Sequence, residues 1–293
     1  MPTPNRSNGL REAKYYDIQP EFVICHLCPH FCHIKPGNHG RCLGRVNHDG
    51  ILYAESYGQI TSIALDPIEK KPLKRFFPGS TILSVGSYGC NLACDFCQNW
   101  QISQRQADSH YYSPQELVDI ALTEQVNGNI GIAFTYNEPF ITFEYVLDTS
   151  RLAHQAGLKT VLVTNGLVNP QPLQEILPHI DAMNIDLKAF HAAFYNRYCH
   201  GPLEPVKRTI ETSARVCHVE LTTLLIPGLN DDEDEIDQLT SWVASIDRLI
   251  PLHLTRHHPA YKMTQPGPIS IERLHLLAQI ARRHLSDVFL GNI

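Results

Sequence analysis

From residue 81 onward, short apolar runs rich in β-branched residues alternate with longer amphipathic runs. This alternation is typical of βα units arranged around a parallel sheet. It predicts strands at 81–85, 130–135, 159–164, 181–187, 218–226, 250–255 and 287–290. The predicted fold class is therefore α/β, with one main parallel sheet.

Helix signals lie between these strands. Ser113-Pro114-Gln115-Glu116 is a capping box with proline at the first helical position, and it predicts a helix to about residue 126, stopped by Gly128. A second helix is predicted from about 140 to 156, ending at Gly157, and a last one from about 271 to 285. The five acidic residues 231–235 begin a helix that runs to about 246, where negative charge is favourable, so we expect a helix start there and not a metal site.

Residues 1–80 do not follow the alternation. They contain four cysteines and a short strand-like run at 51–54. About 50 residues around one site bury little core alone, so we expect an N-terminal cysteine-rich segment, 1–80, joined to a larger unit, 81–293. A basic run in this segment, Lys70, Lys71, Lys74 and Arg75, is predicted to be a solvated loop.

Composition excludes some functions. The formal net charge of −6 argues against a nucleic-acid surface, which needs clustered positive charge. No run approaches the roughly 20 apolar residues of a membrane helix, and residues 1–16 lack an apolar signal core. We therefore expect a cytoplasmic protein whose nine cysteines are thiols or ligands.

Three cysteines follow the first predicted strand. Cys90, Cys94 and Cys97 form a Cys-x-x-x-Cys-x-x-Cys run. A four-iron four-sulfur (4Fe-4S) cube normally takes four thiolates, so three leave one iron free to bind a further ligand. Structural zinc is the alternative, but a closed zinc site needs four ligands and no fourth follows nearby.

Polar groups also follow the other predicted strands. Their carboxyl ends meet at one edge of a parallel barrel, where chemistry is usually located. These ends carry Asn137 and Glu138, Thr164 and Asn165, Asp186 and Lys188, and His253 and Arg256. We expect them to lie near the three cysteines. His257, His258, Cys199 and Cys217 are expected to be loop and core residues.

These motifs resemble a known family. The cysteine run, with Phe96 before its third cysteine, is similar to the signature of radical S-adenosylmethionine (SAM) enzymes. The Phe-Thr-Tyr-Asn-Glu-Pro, Val-Thr-Asn-Gly and Asn-Ile-Asp-Leu-Lys-Ala-Phe segments resemble the AmmeMemoRadiSam system enzymes, which are related to pyruvate formate-lyase activating enzyme. The resemblance implies an incomplete (β/α)6-type barrel holding a 4Fe-4S cluster and SAM.

It also implies roles for individual residues. Glu138 would receive the SAM ammonium, although Tyr136 and Asn137 replace two glycines of the family motif. Asp186 and Lys188 would lie at the SAM site, with Lys188 complementing the carboxylate. Phe96 would pack near the adenine, Trp100 would cover the cluster, and Thr164 and Asn165 would bond the ribose or carboxylate. His253 is either near the ribose or an ordinary packed residue.

The N-terminal Cys25, Cys28, Cys32 and Cys42 supply four thiolates, which suit zinc or a second 4Fe-4S cluster, and both remain open. The family implies cleavage of SAM to a 5′-deoxyadenosyl radical, an electron donor such as flavodoxin or ferredoxin, and AMMECR and Memo family partners. The alternatives are a glycyl-radical enzyme activase and a non-catalytic metal-binding adaptor. No residue specifies the substrate.

Overall fold

The β-branched runs of the chain form extended strands, as their spacing predicts. The computed structural model describes residues 10–293. Its strands are β1 (Arg11–Glu12), β2 (Tyr16–Ile18), β3 (Val23–Cys25), β4 (His33–Ile34), β5 (Arg45–His48), β6 (Ile51–Ala54), β7 (Gln59–Ile60), β8 (Ser62–Pro67), β9 (Thr81–Gly86), β10 (His110–Tyr111), β11 (Asn129–Phe134), β12 (Lys159–Thr164), β13 (Ala182–Asp186), β14 (His218–Leu225), β15 (Leu252–Arg256) and β16 (Val288–Gly291).

The amphipathic runs between the strands form helices. These are α1 (Trp100–Ser103), α2 (Pro114–Thr123), α3 (Phe143–Gln155), α4 (Pro170–Ile176), α5 (Ala192–Phe194), α6 (Glu204–Ser213), α7 (Glu233–Asp247) and α8 (Ile271–Ala281). None of the helices described for residues 10–293 combines the length and apolarity needed to cross a membrane.

One eight-stranded sheet organises the chain, with strand order β16-β15-β14-β13-β12-β11-β9-β8. Neighbours from β9 to β16 are parallel, and β8 alone pairs antiparallel, with β9. All seven predicted strands are confirmed, with bounds within two residues. Because the parallel strands share a direction, their carboxyl ends bring distant loops to one edge.

The predicted helix boundaries are also confirmed by their caps. The Ser113 side chain accepts from the backbone N–H of Glu116, and the Glu116 carboxylate accepts from the backbone N–H of Ser113 at 2.7 Å. Gly128 and Gly157 lie beyond the ends of α2 and α3. Both have positive φ angles, the left-handed conformation that often ends a helix. Asp232 caps α7 by accepting from the backbone N–H groups of Asp234 and Glu235, so these acids serve the helix start.

The segment before residue 81 contributes more to the sheet than expected. Strand β8 belongs to it yet pairs with β9 along its whole length, so the predicted boundary at residues 80 and 81 divides a hydrogen-bonded pair. Residues 1–9 of the predicted segment lie outside the described residues. The remaining small strands form two three-stranded sheets, β1-β6-β5 and β2-β3-β4, and a β10-β7 pair.

The basic run at 70–75 was predicted to be a solvated loop, and this holds for Lys70, Lys74 and Arg75, which are exposed, but is wrong for Lys71. Lys71 is 3% exposed. Leu73 and Phe76 pack with Ile82, Ala133 and Val161 in a second apolar cluster. Leu73 and Phe76 are buried among the basic residues, and Lys71 is buried beside them, while the other cations of the run reach solvent.

Candidate active site and a second cysteine cavity

The three cysteines Cys90, Cys94 and Cys97 lie in the loop between β9 and α1 and line one open cavity of about 390 Å³. Gly89, at φ +87°, permits the turn that begins this loop, and a Cβ there would lie 2.1 Å from the carbonyl oxygen of Cys42. The backbone N–H of Leu92 points at the Cys90 Sγ, 3.4 Å away. The loop is therefore wrapped closely around its own cysteines, with one side left open.

Glu138 follows β11 and lines the same cavity while being 2% exposed. Its Oε1 accepts from the Thr164 hydroxyl at 2.7 Å and the Phe140 N–H at 3.0 Å, and its Oε2 accepts from the Asn165 N–H at 2.8 Å. Burial raises the pKa of Glu138 to about 7, although these donors act to lower it. A buried carboxylate in this state gains from a nearby cation, so the site suits an ammonium group.

Asp186 and Lys188 form an ion pair at the end of β13, with 2.7 Å between Lys188 Nζ and Asp186 Oδ2. Both line the cavity. Burial would lower the pKa of Lys188, but the Asp186 carboxylate and nearby thiols raise it well above its usual value. Lys188 is thus a cation at the cavity wall, able to meet a carboxylate.

The two asparagines at strand ends hold the cysteine loop. Asn137 accepts from the Ser87 N–H at 2.9 Å and donates to the Gly89 carbonyl at 3.1 Å. The Asn165 side chain donates to Asn91 Oδ1 at 2.9 Å and approaches the Cys90 Sγ at 3.5 Å. Both line the cavity, but their side-chain groups are engaged in positioning the loop that carries Cys90.

The predicted aromatic residues behave differently from one another. Phe96 is 4% exposed and lines the cavity, with Lys188 Nζ 6.0 Å from its ring centroid. Trp100 is not among the lining residues, and its ring instead stacks on Tyr261 at 5.2 Å. Phe96 is therefore placed to contact a ligand, whereas Trp100 joins the loop after β15 to the cysteine loop.

His253 is the one predicted cofactor-binding residue that does not line the cavity. Its Nε2 lies 2.6 Å from Glu220 Oε2, and Glu220 also bonds His218 and accepts from the N–H groups of Lys74 and Arg75. The ribose assignment is corrected on this ground, because a buried carboxylate already occupies the histidine. Arg256 likewise donates to the Ile269 carbonyl and is absent from the lining, where Thr255 stands instead.

Sequence reasoning missed several residues of the site. Cys199 is buried, as expected for a core residue, but its free thiol is also hydrogen-bonded to that of Cys94. The carbonyl of Cys199 also accepts from the Ala93 N–H at 3.1 Å. No sequence signal links the two cysteines. The cavity is further lined by Lys70, Lys71, Pro72, Tyr136, Thr222, Leu224 and Asn292.

The four N-terminal cysteines Cys25, Cys28, Cys32 and Cys42 line a separate, more enclosed cavity, which we call the N-terminal cavity. Its other walls include Leu27, Ile34 and Ile141 and the side chain of Arg45. Within residues 10–293, no three or more His, Cys, Asp or Glu side chains are grouped so as to hold a metal ion. The four thiols therefore line one shared space.

Arg45 lies against this cavity and is 1% exposed. It donates to Glu144 Oε1 at 2.6 Å and to the Lys14 carbonyl at 2.7 Å, and its Nη1 is 3.8 Å from the Cys25 Sγ. Its Nε is buried without a partner. An unpartnered buried donor beside four thiols fits an anionic cluster, which would accept from it.

Known proteins with related sequences and folds agree with this geometry. Residues 84–240 match the sequence model of the Radical SAM superfamily. The chain is 40% identical over 291 residues to the uncharacterized protein MJ0808 of Methanocaldococcus jannaschii, covering 97% of this chain and 86% of that protein. It is 23% identical over 179 residues to pyruvate formate-lyase 1-activating enzyme of Escherichia coli, covering 58% and 71%.

A solved structure shares the fold. Streptococcus suis SuiB bound to S-adenosylmethionine superposes with a TM-score of 0.53 at 14% identity, over 70% of this chain and 48% of that one. Residues 84–240, which match the superfamily model, include the cysteine run and the strand-end residues up to Lys188. The chain belongs to the Radical SAM superfamily. Within it, relatives include pyruvate formate-lyase activating enzymes, and an iron-sulfur cluster and SAM are the cofactors the family implies.

Proposed function

We propose that this protein reductively cleaves SAM at a 4Fe-4S cluster held by Cys90, Cys94 and Cys97. The supporting observation is that these three thiols share one open cavity with Glu138 and Lys188. Three thiolates leave one iron of the cluster free for a further ligand. The cavity also offers the Glu138 carboxylate and the Lys188 ammonium for the two charged ends of an amino acid. When bound, the cluster would supply the electron that splits SAM into methionine and a 5′-deoxyadenosyl radical for hydrogen abstraction.

The protein's own residues bind and orient SAM in this proposal. Glu138 receives the ammonium, which relieves the cost of its burial. Lys188, steadied by Asp186, receives the carboxylate, and Phe96 packs against the adenine. Thr164 and Asn165 fix the Glu138 carboxylate, while Asn137 and Asn165 fix the cysteine loop. The chain thereby positions the cofactor and excludes water, and the cofactor carries the chemistry.

The N-terminal cavity is proposed to hold a second 4Fe-4S cluster on Cys25, Cys28, Cys32 and Cys42. Zinc draws four sulfurs to one point, at about 2.3 Å each, whereas a cube spreads its ligands around a larger core. The four thiols line one enclosed space, as either site requires, and the resemblance to activating enzymes that carry extra clusters favours the cube. The Arg45 guanidinium supports it with positive charge and a free donor.

The substrate and context are inferred from resemblance. We assign the chain to the AmmeMemoRadiSam system group, with a cytoplasmic setting, a flavodoxin or ferredoxin as electron donor, and AMMECR and Memo family proteins as partners. The open sheet suits an incomplete (β/α)6-type barrel over 81–293, with β8 of the cysteine-rich segment 1–80 added at one edge and β16 at the other.

A glycyl-radical activase is the second candidate. Two similar proteins carry such names, the E. coli activating enzyme and a putative glycyl-radical enzyme activating enzyme of M. jannaschii that is 23% identical over 215 residues. A non-catalytic adaptor fits less well, because Glu138, Asp186 and Lys188 have no structural need to share a cavity with three cysteines.

The decisive experiment measures 5′-deoxyadenosine after anaerobic reconstitution with iron and sulfide, SAM and dithionite. The wild-type protein should release it even without substrate, and Cys94→Ala should not. Cys217→Ala is the matched control, because Cys217 bonds only the Ser213 carbonyl and lies outside both cavities. Equal release from wild type and Cys94→Ala would overturn the proposal.

A further inference from the structure

The contacts proposed for SAM and the cluster leave one wall of the active-site cavity free. On this wall lie Lys70, Lys71 and Pro72, with Tyr136, Thr222 and Thr255 nearby. Apart from the cysteines and the Glu138, Asp186 and Lys188 assigned to SAM, the charged side chains that line the cavity in the described chain are Lys70 and Lys71. The charge left over for a substrate is therefore positive.

Lys71 is held as a buried cation at this wall. Its Nζ lies 2.9 Å from Asp66 Oδ2 and 4.7 Å from the centroid of the Tyr136 ring. Burial lowers the pKa of Lys71, and Asp66 only partly offsets this. Such a group is stabilised by any further negative charge that reaches it.

Lys70 shares the same carboxylate, with its Nζ 3.2 Å from Asp66 Oδ1. Asp66 also accepts from the Tyr136 hydroxyl at 2.9 Å. One carboxylate thus faces two ammonium groups and a phenol, which leaves one positive charge uncompensated. Lys70 lines the cavity and its side chain is 68% exposed, so that charge is accessible to a ligand.

Tyr136 connects this wall to the SAM side. It adopts φ +71°, which is unusual for a bulky residue, two positions before Glu138. Its carbonyl accepts from the Asn99 side chain at 2.7 Å, which lies two residues after Cys97. Tyr136 thereby joins the lysine-bearing wall to the loop that carries Cys97.

Hydrogen bonds to side chains of the main sheet fix the segment that carries the lysines. The Asn184 side chain donates to the Pro72 carbonyl at 2.9 Å. The buried Glu220 carboxylate accepts from the N–H groups of Lys74 and Arg75 at 3.0 and 2.7 Å. These hydrogen bonds fix the backbone beside the two lysines, so the lysine pair is an ordered part of the cavity wall.

We propose that the substrate of this enzyme carries an anionic group, a carboxylate or a phosphate, which binds Lys70 in front of the Asp66–Lys71–Tyr136 cluster. This rests on the proposed SAM chemistry. Because a cavity of about 390 Å³ must also admit SAM, the part of the substrate that enters it is small. The anion anchors that part so that a C–H bond faces the SAM side.

The test is calorimetric titration of the anaerobically reconstituted protein with succinate, inorganic phosphate and the neutral diamide succinamide, each with and without SAM. Succinate or phosphate should bind, and the arm that binds more tightly tells carboxylate from phosphate. Succinamide should not bind. Lys70→Ala should weaken anion binding about tenfold or more, the loss of one charged contact.

Lys74→Ala is the matched control, since Lys74 belongs to the same run but does not line the cavity, and its anion affinity should equal that of wild type. Wild type that binds neither anion, or equal anion affinity in wild type and Lys70→Ala, would overturn the proposal. SAM affinity should be unchanged in Lys70→Ala. A wild type that binds anions but not SAM would instead count against the proposed function, so the two failures are distinguishable.

Discussion

The two cysteine cavities differ in ligand number, access and surroundings. Cys90, Cys94 and Cys97 face an open cavity with charged walls, whereas Cys25, Cys28, Cys32 and Cys42 face a more enclosed one lined by Leu27, Ile34 and Ile141. The open cavity has three thiols and free space for a further ligand, and the enclosed one has four thiols between apolar side chains and the cations Arg41 and Arg45. In each cavity the number of thiols and the accessibility indicate the same role. We therefore propose SAM cleavage at the open cavity and a cluster with no further ligand in the enclosed one.

The two cavities are nevertheless neighbours. The carbonyl of Cys42 packs directly on Gly89, the residue before Cys90, and His30 Nε2 lies 2.7 Å from the Asn91 carbonyl. Glycine is required at 89 both by its φ of +87° and by this close approach. The N-terminal segment therefore supports the loop that carries the open site.

The largest expected effect separates the two metal sites. Changing Cys90, Cys94 and Cys97 together to alanine should remove the open-site cluster and leave the N-terminal one, because the other four thiols are untouched. Iron content should fall by about half, with one 4Fe-4S signal remaining in Mössbauer spectra. Cys217→Ala should keep the iron of wild type.

Two other results of the same measurement would change the comparison. Stoichiometric zinc without iron in the triple variant would make the N-terminal cavity a structural zinc site. Absence of any metal would show that the four cysteines do not form a site.

The next effect concerns the buried ion pair beside the N-terminal cavity. Arg45→Met should lower the free energy of unfolding by roughly 3–5 kcal/mol, because it leaves the Glu144 carboxylate buried and unpaired. Both side chains are nearly fully buried, at 1% and 2% exposure. Urea unfolding of the reconstituted protein measures the change.

The double variant Arg45→Met with Glu144→Leu is the matched control, since it removes both charges. It should recover most of the lost stability. Equal stability of wild type and Arg45→Met would mean that the pair does not tie the N-terminal segment to α3.

SAM affinity tests the open cavity alone. Glu138→Gln and Lys188→Met should each weaken SAM binding by about 2–5 kcal/mol, the cost of breaking a desolvated charge contact. Iron content should stay at the wild-type level, because neither residue is a ligand. Titration calorimetry and iron analysis measure the two quantities.

Lys207→Met is a suitable control, since Lys207 packs over Phe190 and Trp242 away from both cavities. Unchanged SAM affinity in Glu138→Gln or in Lys188→Met would remove that residue from the SAM site.

The sequence predicted those features that depend on local pattern. Alternating apolar runs gave the seven parallel strands, and the capping box at Ser113 gave the start of α2. Strand ends in a parallel sheet necessarily meet at one edge, so the convergence of Glu138, Thr164, Asp186 and Lys188 was also predictable.

The features that were missed depend on partners distant in the chain. Lys71 is buried because the following residues pack inside the sheet and bond Asn184 and Glu220, more than a hundred positions away. Cys199 meets Cys94 across a similar separation. His253 was assigned to the cofactor because its partner, Glu220, could not be identified from the sequence.

The smallest expected effect concerns the wall of the open cavity that carries Lys70 and Lys71. Glu220 fixes this wall by accepting from the backbone N–H groups of Lys74 and Arg75. Burial would raise the pKa of Glu220, but hydrogen bonds from His218, His253 and the N–H groups of Lys74 and Arg75 lower it to about 2. A carboxyl whose folded pKa is depressed stabilises the fold above its unfolded pKa, near 4.3, and loses that contribution as the pH falls toward the folded value. The difference between 4.3 and about 2 corresponds to roughly 3 kcal/mol at neutral pH.

Wild type should therefore be more stable than Glu220→Gln at pH 6, and the difference should shrink as the pH falls from about 4.5 to 2. Urea unfolding across this range measures it. The variant should also bind succinate or phosphate more weakly, because the lysine wall loses its support, while the metal of the N-terminal cavity stays in place. A stability difference that is constant with pH would show that the Glu220 charge is not what fixes this wall, and would leave the contrast between the two cavities to their cysteines alone.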